Sequence, residues 1–200
     1  MIPTISPYLL PLAAPALRRA YPRLTAVWRE EKTSDVMRGV RDGTLDAALL
    51  ALEADIGDVE REVIAQDPFV LATPPRHPLG TTAEPVRPAE LRGAPVLLLD
   101  DGHCFREQAL AVCSRARVRE SEFRATSLTT LAQMVAGGAG VTLLPRLAVP
   151  TEARRSGLKI RAFADPPPHR TIGLVWRRGC PVAPALRQVA AAIRSAYPTG

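Results

Sequence analysis

The segment DGHCFREQALAVC, residues 101 to 113, carries two of the chain's three cysteines, at positions 104 and 113. Gly102 and His103 precede the first, and Arg106 follows two places later. On a helix from about residue 102 to 117, Cys104 stands at the N-terminus, where the peptide dipole favours an anion; His103 and Arg106 can add positive charge. Each effect lowers a thiol pKa and raises the thiolate fraction. A thiolate attacks a peroxide to give a sulfenic acid, and a second thiol within reach condenses with it to a disulfide. Cys113, on an Ala/Leu/Val-rich face, is the candidate resolving thiol.

The spacing makes that reaction a structural event. Nine residues of helix put the two cysteines about 13 Å apart along the axis, whereas a disulfide needs Cα atoms roughly 4.4 to 6.8 Å apart. Joining them requires most of the intervening helix to unwind, as a switch requires. The same residues also fit a plainer account, with Cys113 a small core residue and Cys104 an incidental loop thiol. A metal site is not expected, because the cysteines lack paired ligand spacing and His77, His103 and His169 are scattered. Cys180, between Gly179 and Pro181, reads as a surface turn residue.

Apolar runs of strand length alternate with segments of helical period, which predicts an α/β fold on mostly parallel sheets. The stub MIPT begins it as a strand ending at Thr4, followed by an amphipathic helix from Ser6 to Ala20 and a strand LTAVW. Then come a helix capped by Thr33 or Ser34 and stopped by Gly43, and a buried strand LDAALLAL. Pro74 to Pro95 is Pro-rich and reads as loop with a short helical turn at 88 to 91. Strand 96–99, the cysteine helix, strand FRAT, a helix Ser127 to Ala136, strand VTLLP, a further helix and strand LKIRAF follow. Strand TIGLVW and an amphipathic helix 182–196 close the chain. That last helix must bury Leu186, Val189, Ala190 and Ile193, and the first half is short of covering helices. A discontinuous first domain with two crossovers is therefore expected.

In open α/β sheets, ligands collect beyond the carboxyl ends of strands, where helix N-termini point inward. Thr4, Thr33, His103, Cys104, Thr126 and Ser127 all fall at such places and are expected to share one cleft. Threonine hydroxyls both donate and accept, so they suit a small polar molecule such as hydrogen peroxide beside the sulfur. Each is equally an ordinary helix cap. Arg170, before the returning strand, reads as a structural salt-bridge partner or as a contact to the switch segment.

Two hundred residues at 46 % hydrophobic content suffice for one sizeable core or two small ones, which excludes default disorder. The net charge of +6 comes from arginine spread along the chain, and aromatic content is only 4 %. Blocks such as Arg115, Arg117, Arg119 and Arg154, Arg155 then read as solvated faces, and this segment is not expected to read DNA itself. No export signal and no run long enough to span a bilayer is found. Three cysteines in a chain without an export signal suit a reducing, cytoplasmic setting.

The stretches IPTISPYLLP, LLLDDGHCFREQALAVC, FRATSLTTLAQMVAGGAGVTLLPRLAVP and HRTIGLVWRRG resemble the regulatory domains of the OxyR family, peroxide-sensing LysR-type transcriptional regulators. The resemblance covers essentially the whole chain, and the GHC-x8-C segment is its most specific part. It implies an α/β fold of two periplasmic-binding-protein-like (type 2), Rossmann-like subdomains joined by two crossover strands: residues 1–67 with 171–200, and residues 68–170, the latter carrying the cysteines. It implies Cys104 as peroxidatic and Cys113 as resolving cysteine, with peroxide positioned by Thr4 and Thr33, and with Thr126 and Ser127 nearby. His103, Arg106, Glu107 and Arg170 would support the switch.

By the same resemblance, oxidation rearranges a homo-oligomer, a dimer or a tetramer in the full-length protein. The promoter DNA is gripped through an N-terminal winged helix-turn-helix expected to be absent from this chain. RNA polymerase and thiol reductants such as glutaredoxin or thioredoxin are the implied partners, no cofactor or metal is implied, and the protein is not an enzyme. Glu122, where histidine is common before FxATS, departs from the pattern. Three rivals remain: a LysR-type domain binding a small organic effector, a thiol peroxidase using Cys104, and a secreted solute-binding protein of the same architecture.

Overall fold

In the computed structural model, residues 1–198 are described, those at 115 and 116 by their backbone alone. Helices α1 (Ser6–Ala20) and α2 (Thr33–Asp42) lead to strands β1 (Ala48–Ala51) and β2 (Val59–Thr73). Strand β3 (Pro95–Leu99), helix α3 (Cys104–Ala116), strand β4 (Arg119–Ala125) and helix α4 (Leu128–Ala136) follow. Then come β5 (Thr142–Pro145), α5 (Val149–Ser156), β6 (Lys159–Ala162), β7 (His169–Arg177) and α6 (Ala183–Ala196).

The chain divides into two compact units, Met1–Gln66 with Thr171–Gly200, and Asp67–Arg170. Strands β2 and β7 carry the chain from one to the other and back. In the first unit β1 pairs antiparallel with β7, Leu50 opposite Gly173. All four residues of β1 are buried, as are Ile172 to Trp176 of β7. Their apolar side chains, with Ile5, Leu9 and Leu17 at α1, Val36, Met37 and Val40 on α2, and Ala190 and Ile193 on α6, form that unit's core. Helix α2 stops where Gly43 turns left-handed at φ 76°, a conformation glycine adopts without Cβ strain.

In the second unit β3 and β4 run parallel, while β5 and β6 both pair antiparallel with the later half of β2. Its core gathers Val96 to Leu99, Phe105, Ala109 and Cys113 on α3, Leu128, Leu131 and Val135 on α4, and Leu143 and Leu144. The Ser127 side chain accepts from the Thr130 amide and caps α4, as its position in the sequence suggests.

Several local expectations give way. Among the described residues β1–β7, β2–β5 and β2–β6 pair antiparallel, against one parallel ladder, β3–β4, and single parallel bridges, so mostly parallel sheets are not what forms. A parallel neighbour needs a long crossover connection, and β2, which crosses between the units, meets β5 and β6 running the other way. The stretch LTAVW is not a strand; Leu24 and Val27 are 44 % and 84 % exposed, and apolar alternation without a ladder partner does not hold a strand together. MIPT is not a strand either, and Thr4 lies in the turn that opens α1. Lys32 rather than Thr33 or Ser34 occupies the N-cap of α2, with no side-chain cap bond. The fifteen-residue β2 has no counterpart in the sequence reading. Arg117, Arg119, Arg154 and Arg155 are exposed as expected, while the side chain of Arg115 lies outside the described residues. No helix among the described residues is long and apolar enough to cross a membrane.

Candidate functional site

Helix α3 begins at Cys104 itself, because Gly102 turns left-handed at φ 85° and His103 takes the extended N-cap conformation. Cys104 is 8 % exposed and Cys113 1 %, and neither is in a disulfide; nor is Cys180, which is buried rather than a surface turn residue. Cys104 lies at the N-terminal end of α3, the end at which a helix dipole favours negative charge. Cys113 sits in the opposite environment: burial first, and the negative charge of Glu120 second, push its thiol up to about 11. One helix therefore carries a thiol at its start and a thiol held protonated near its end.

That end is weakly built. Arg117 follows the helix at φ 50°, the one non-glycine residue with positive φ among those described. Left-handed backbone costs an L-residue about 1 to 2 kcal/mol, a strain that α2 and α5 avoid by ending on Gly43 and Gly157. The face of α3 that meets the core is fixed by Phe105, whose ring packs edge-on to Phe69 at 5.2 Å between centroids.

Behind Phe105 stands Arg170, fully buried, its guanidinium carbon 5.7 Å from the ring centroid. Arg170 donates through Nε and Nη2 to Oδ2 of Asp67, each at 2.9 Å, and the other Asp67 oxygen accepts from the Leu147 amide at 2.9 Å. Arg170 is thus a buried salt-bridge partner that also lies against Phe105, the residue beside Cys104.

Arg106 is not aimed at Cys104 as a free charge. It donates to Asp101 at 2.9 Å and to Glu120 at 2.7 Å. Burial works against its charge, but those two carboxylates outweigh it and hold the guanidinium pKa above its ordinary value. Glu107 is exposed in the first turn of α3. Thr126 is exposed and Ser127 caps α4, both in the second unit with the cysteines. Thr4, buried, and Thr33, half-buried, belong to the first unit. Among the described residues no group of three or more His, Cys, Asp or Glu is placed to hold a metal.

Two residues of this neighbourhood escaped the sequence reading. Asp67 lies 103 residues from Arg170, and nothing local announces the pair. Gln108 buries both amide atoms without a hydrogen-bond partner among the described residues. It follows Cys104 by one helical turn, on the same side of α3. The i, i+4 spacing from the cysteine was the available signal.

The chain matches the LysR substrate binding domain family over residues 1–198. It is 47 % identical over 179 residues to a probable hydrogen peroxide-inducible genes activator of Mycobacterium avium, covering 88 % of this chain and 57 % of that protein. It is 42 % identical over 196 residues to the DNA-binding transcriptional dual regulator OxyR of Escherichia coli, covering 98 % of this chain and 64 % of that one. The reduced form of OxyR superposes with a TM-score of 0.88 at 40 % identity, over 98 % of this chain and 92 % of the other. The chain thus spans about three fifths of the length of these curated relatives.

Proposed function

We propose, from the premise that this chain belongs to the LysR substrate-binding domain family, that it is the regulatory part of a transcriptional regulator that senses hydrogen peroxide. The observation that carries the reading is α3 itself, with one thiol at its N-terminus and a second buried near its far end. The relatives named for peroxide-inducible genes support it.

In the first step the Cys104 thiolate attacks one peroxide oxygen. The O–O bond breaks, and the departing hydroxide takes a proton to leave as water, with sulfenic acid on Cys104. In the second, the Cys113 sulfur attacks the Cys104 sulfur, the S–O bond breaks, and hydroxide leaves with the Cys113 proton as a second water. His103, which precedes Cys104, and Gln108, one turn along α3, serve as hydrogen-bond partners for the oxygen; Thr126 and Ser127 offer hydroxyls in the same unit. Thr4 and Thr33 enter as peroxide-positioning residues on the family resemblance, and Glu107 as a support of the switch. Oxidation removes Phe105 from its place on Arg170, because the bond cannot form while α3 is wound.

The two units serve as the two regulatory subdomains. The rearranged oligomer alters the grip on promoter DNA of a helix-turn-helix domain outside this chain, and so the recruitment of RNA polymerase. A thioredoxin- or glutaredoxin-type reductant in the cytoplasm resets the thiols. The protein acts stoichiometrically and not as an enzyme. The test is intact mass and peptide mapping of reduced protein after one equivalent of hydrogen peroxide. Loss of two hydrogens mapped to Cys104 and Cys113 is expected, abolished by Cys104→Ser, with a trappable sulfenic acid remaining in Cys113→Ser. Unreacted thiols would overturn the reading in favour of a domain that binds a small organic effector.

A further inference from the structure

Around α3 lies an arrangement of charge as ordered as that of the thiols. Arg106, with 12 % of its side chain exposed, donates to Asp101 in the loop after β3 and to Glu120 on β4. Its Nη1 also reaches the Leu99 carbonyl at 3.4 Å, at the end of β3. Glu120 in turn accepts from Arg124 at 2.7 Å. One guanidinium therefore fastens the first turn of α3 to the strands on either side of it in sequence, and Glu120 is the carboxylate both arginines share. The helix between these fastenings ends on the left-handed Arg117, so the ties at its flanks add to the core contacts of Phe105, Ala109 and Cys113 in keeping it wound.

We propose that Glu120 is a positioning residue that keeps α3 wound until Cys104 is oxidised, and so sets the rate at which Cys113 reaches it. The inference rests on the disulfide reading above and adds a residue to it. With the Arg106–Glu120 pair intact, unwinding α3 must break a charge-assisted hydrogen bond before the two sulfurs can meet. Releasing that bond frees the segment from Arg106 to Glu120, the stretch that must change shape. The same carboxylate adds its negative charge to burial in keeping the Cys113 thiol protonated while the helix is wound. Unwinding removes both influences together, and Cys113 becomes a nucleophile only when it is free to travel. Cys104, whose position depends on the helix start, needs no such release to react with peroxide.

The test separates the two steps in the full chain. Reduced protein is mixed with hydrogen peroxide and quenched at intervals; sulfenic acid is trapped with dimedone and the disulfide is counted by mass. Glu120→Gln is expected to leave sulfenic acid formation within about twofold of the parent and to speed the disulfide step about fivefold. Added salt should speed the disulfide step of the parent and lose that effect in Glu120→Gln, a response that loss of packing alone would not remove. Glu120→Asp should restore part of the slow step and of the salt response. Arg124→Gln, which loosens only the outer pair, should move the rate the same way by less, and covers the case in which Glu120→Gln fails to fold. A disulfide step in Glu120→Gln with the parent's rate and salt response would overturn the proposal. Absence of the disulfide in the parent chain itself would instead overturn the reading on which it rests.

Discussion

Cys113 offers a measurement whose sign and size follow from its environment. In the folded chain its thiol holds its proton to about 11, against an ordinary value of 9.0. Between those values the unfolded chain has released the proton and the folded chain has not. The unfolded state then binds fewer protons, so stability falls as pH rises. The contribution of Cys113 is fully present below about pH 9 and is lost as pH approaches 11. The difference between 9.0 and about 11 amounts to about 3 kcal/mol at most. The perturbation is Cys113→Ala, with urea unfolding of both reduced proteins from pH 8 to 11. Cys104 and Cys180 are present in both chains and cancel in the difference. The parent is expected to lose about 2 to 3 kcal/mol relative to Cys113→Ala across that range. Parallel curves would refute the claim that burial suppresses this thiol, and with it the idea that Cys113 must move before it can react.

Asp67→Ala removes the carboxylate from a fully buried arginine and an acceptor from the Leu147 amide; a loss of about 3 to 5 kcal/mol in urea unfolding is expected, mostly recovered by the double change Asp67→Leu with Arg170→Met. Gly140→Ala would place a Cβ 2.4 Å from the Pro95 carbonyl oxygen at φ 147°, and should lower stability by more than about 2 kcal/mol, read as a drop in Tm by circular dichroism. Ser127→Ala should cost about 1 kcal/mol through loss of the α4 cap, read in the same way.

Much of the chain was legible where one signal acted alone. The apolar run at β1, the Gly43 stop of α2 and the capping Ser127 need only local chemistry. β2 was hidden because its first half alternates charge rather than apolarity. Asp58, before the strand, and Glu60 and Glu62 within it pair with Arg178, Arg187 and Arg194, partners more than a hundred residues away. LTAVW showed the opposite failure, an alternation that matches a strand but forms no ladder among the described residues. At the site, the two thiols could be picked out by type and spacing, since helix geometry fixes what nine residues mean. The role of Arg106 could not, because its neutralising partner Glu120 comes fourteen residues later and only the fold brings them together.

The buried pair of Asp67 and Arg170 has a topological consequence. These are the first and last residues of the second unit, so the pair clasps the excursion where the chain enters and leaves it. A loop closed at its base gives away no slack: whatever α3 does inside it, its entry and exit strands stay pinned while the clasp holds. A rearrangement inside must therefore be broadcast through altered surface rather than through lengthened connections. Such a loop is also portable, since an insert with adjoining ends can be moved into another host chain or have its own ends rejoined without stretching its core.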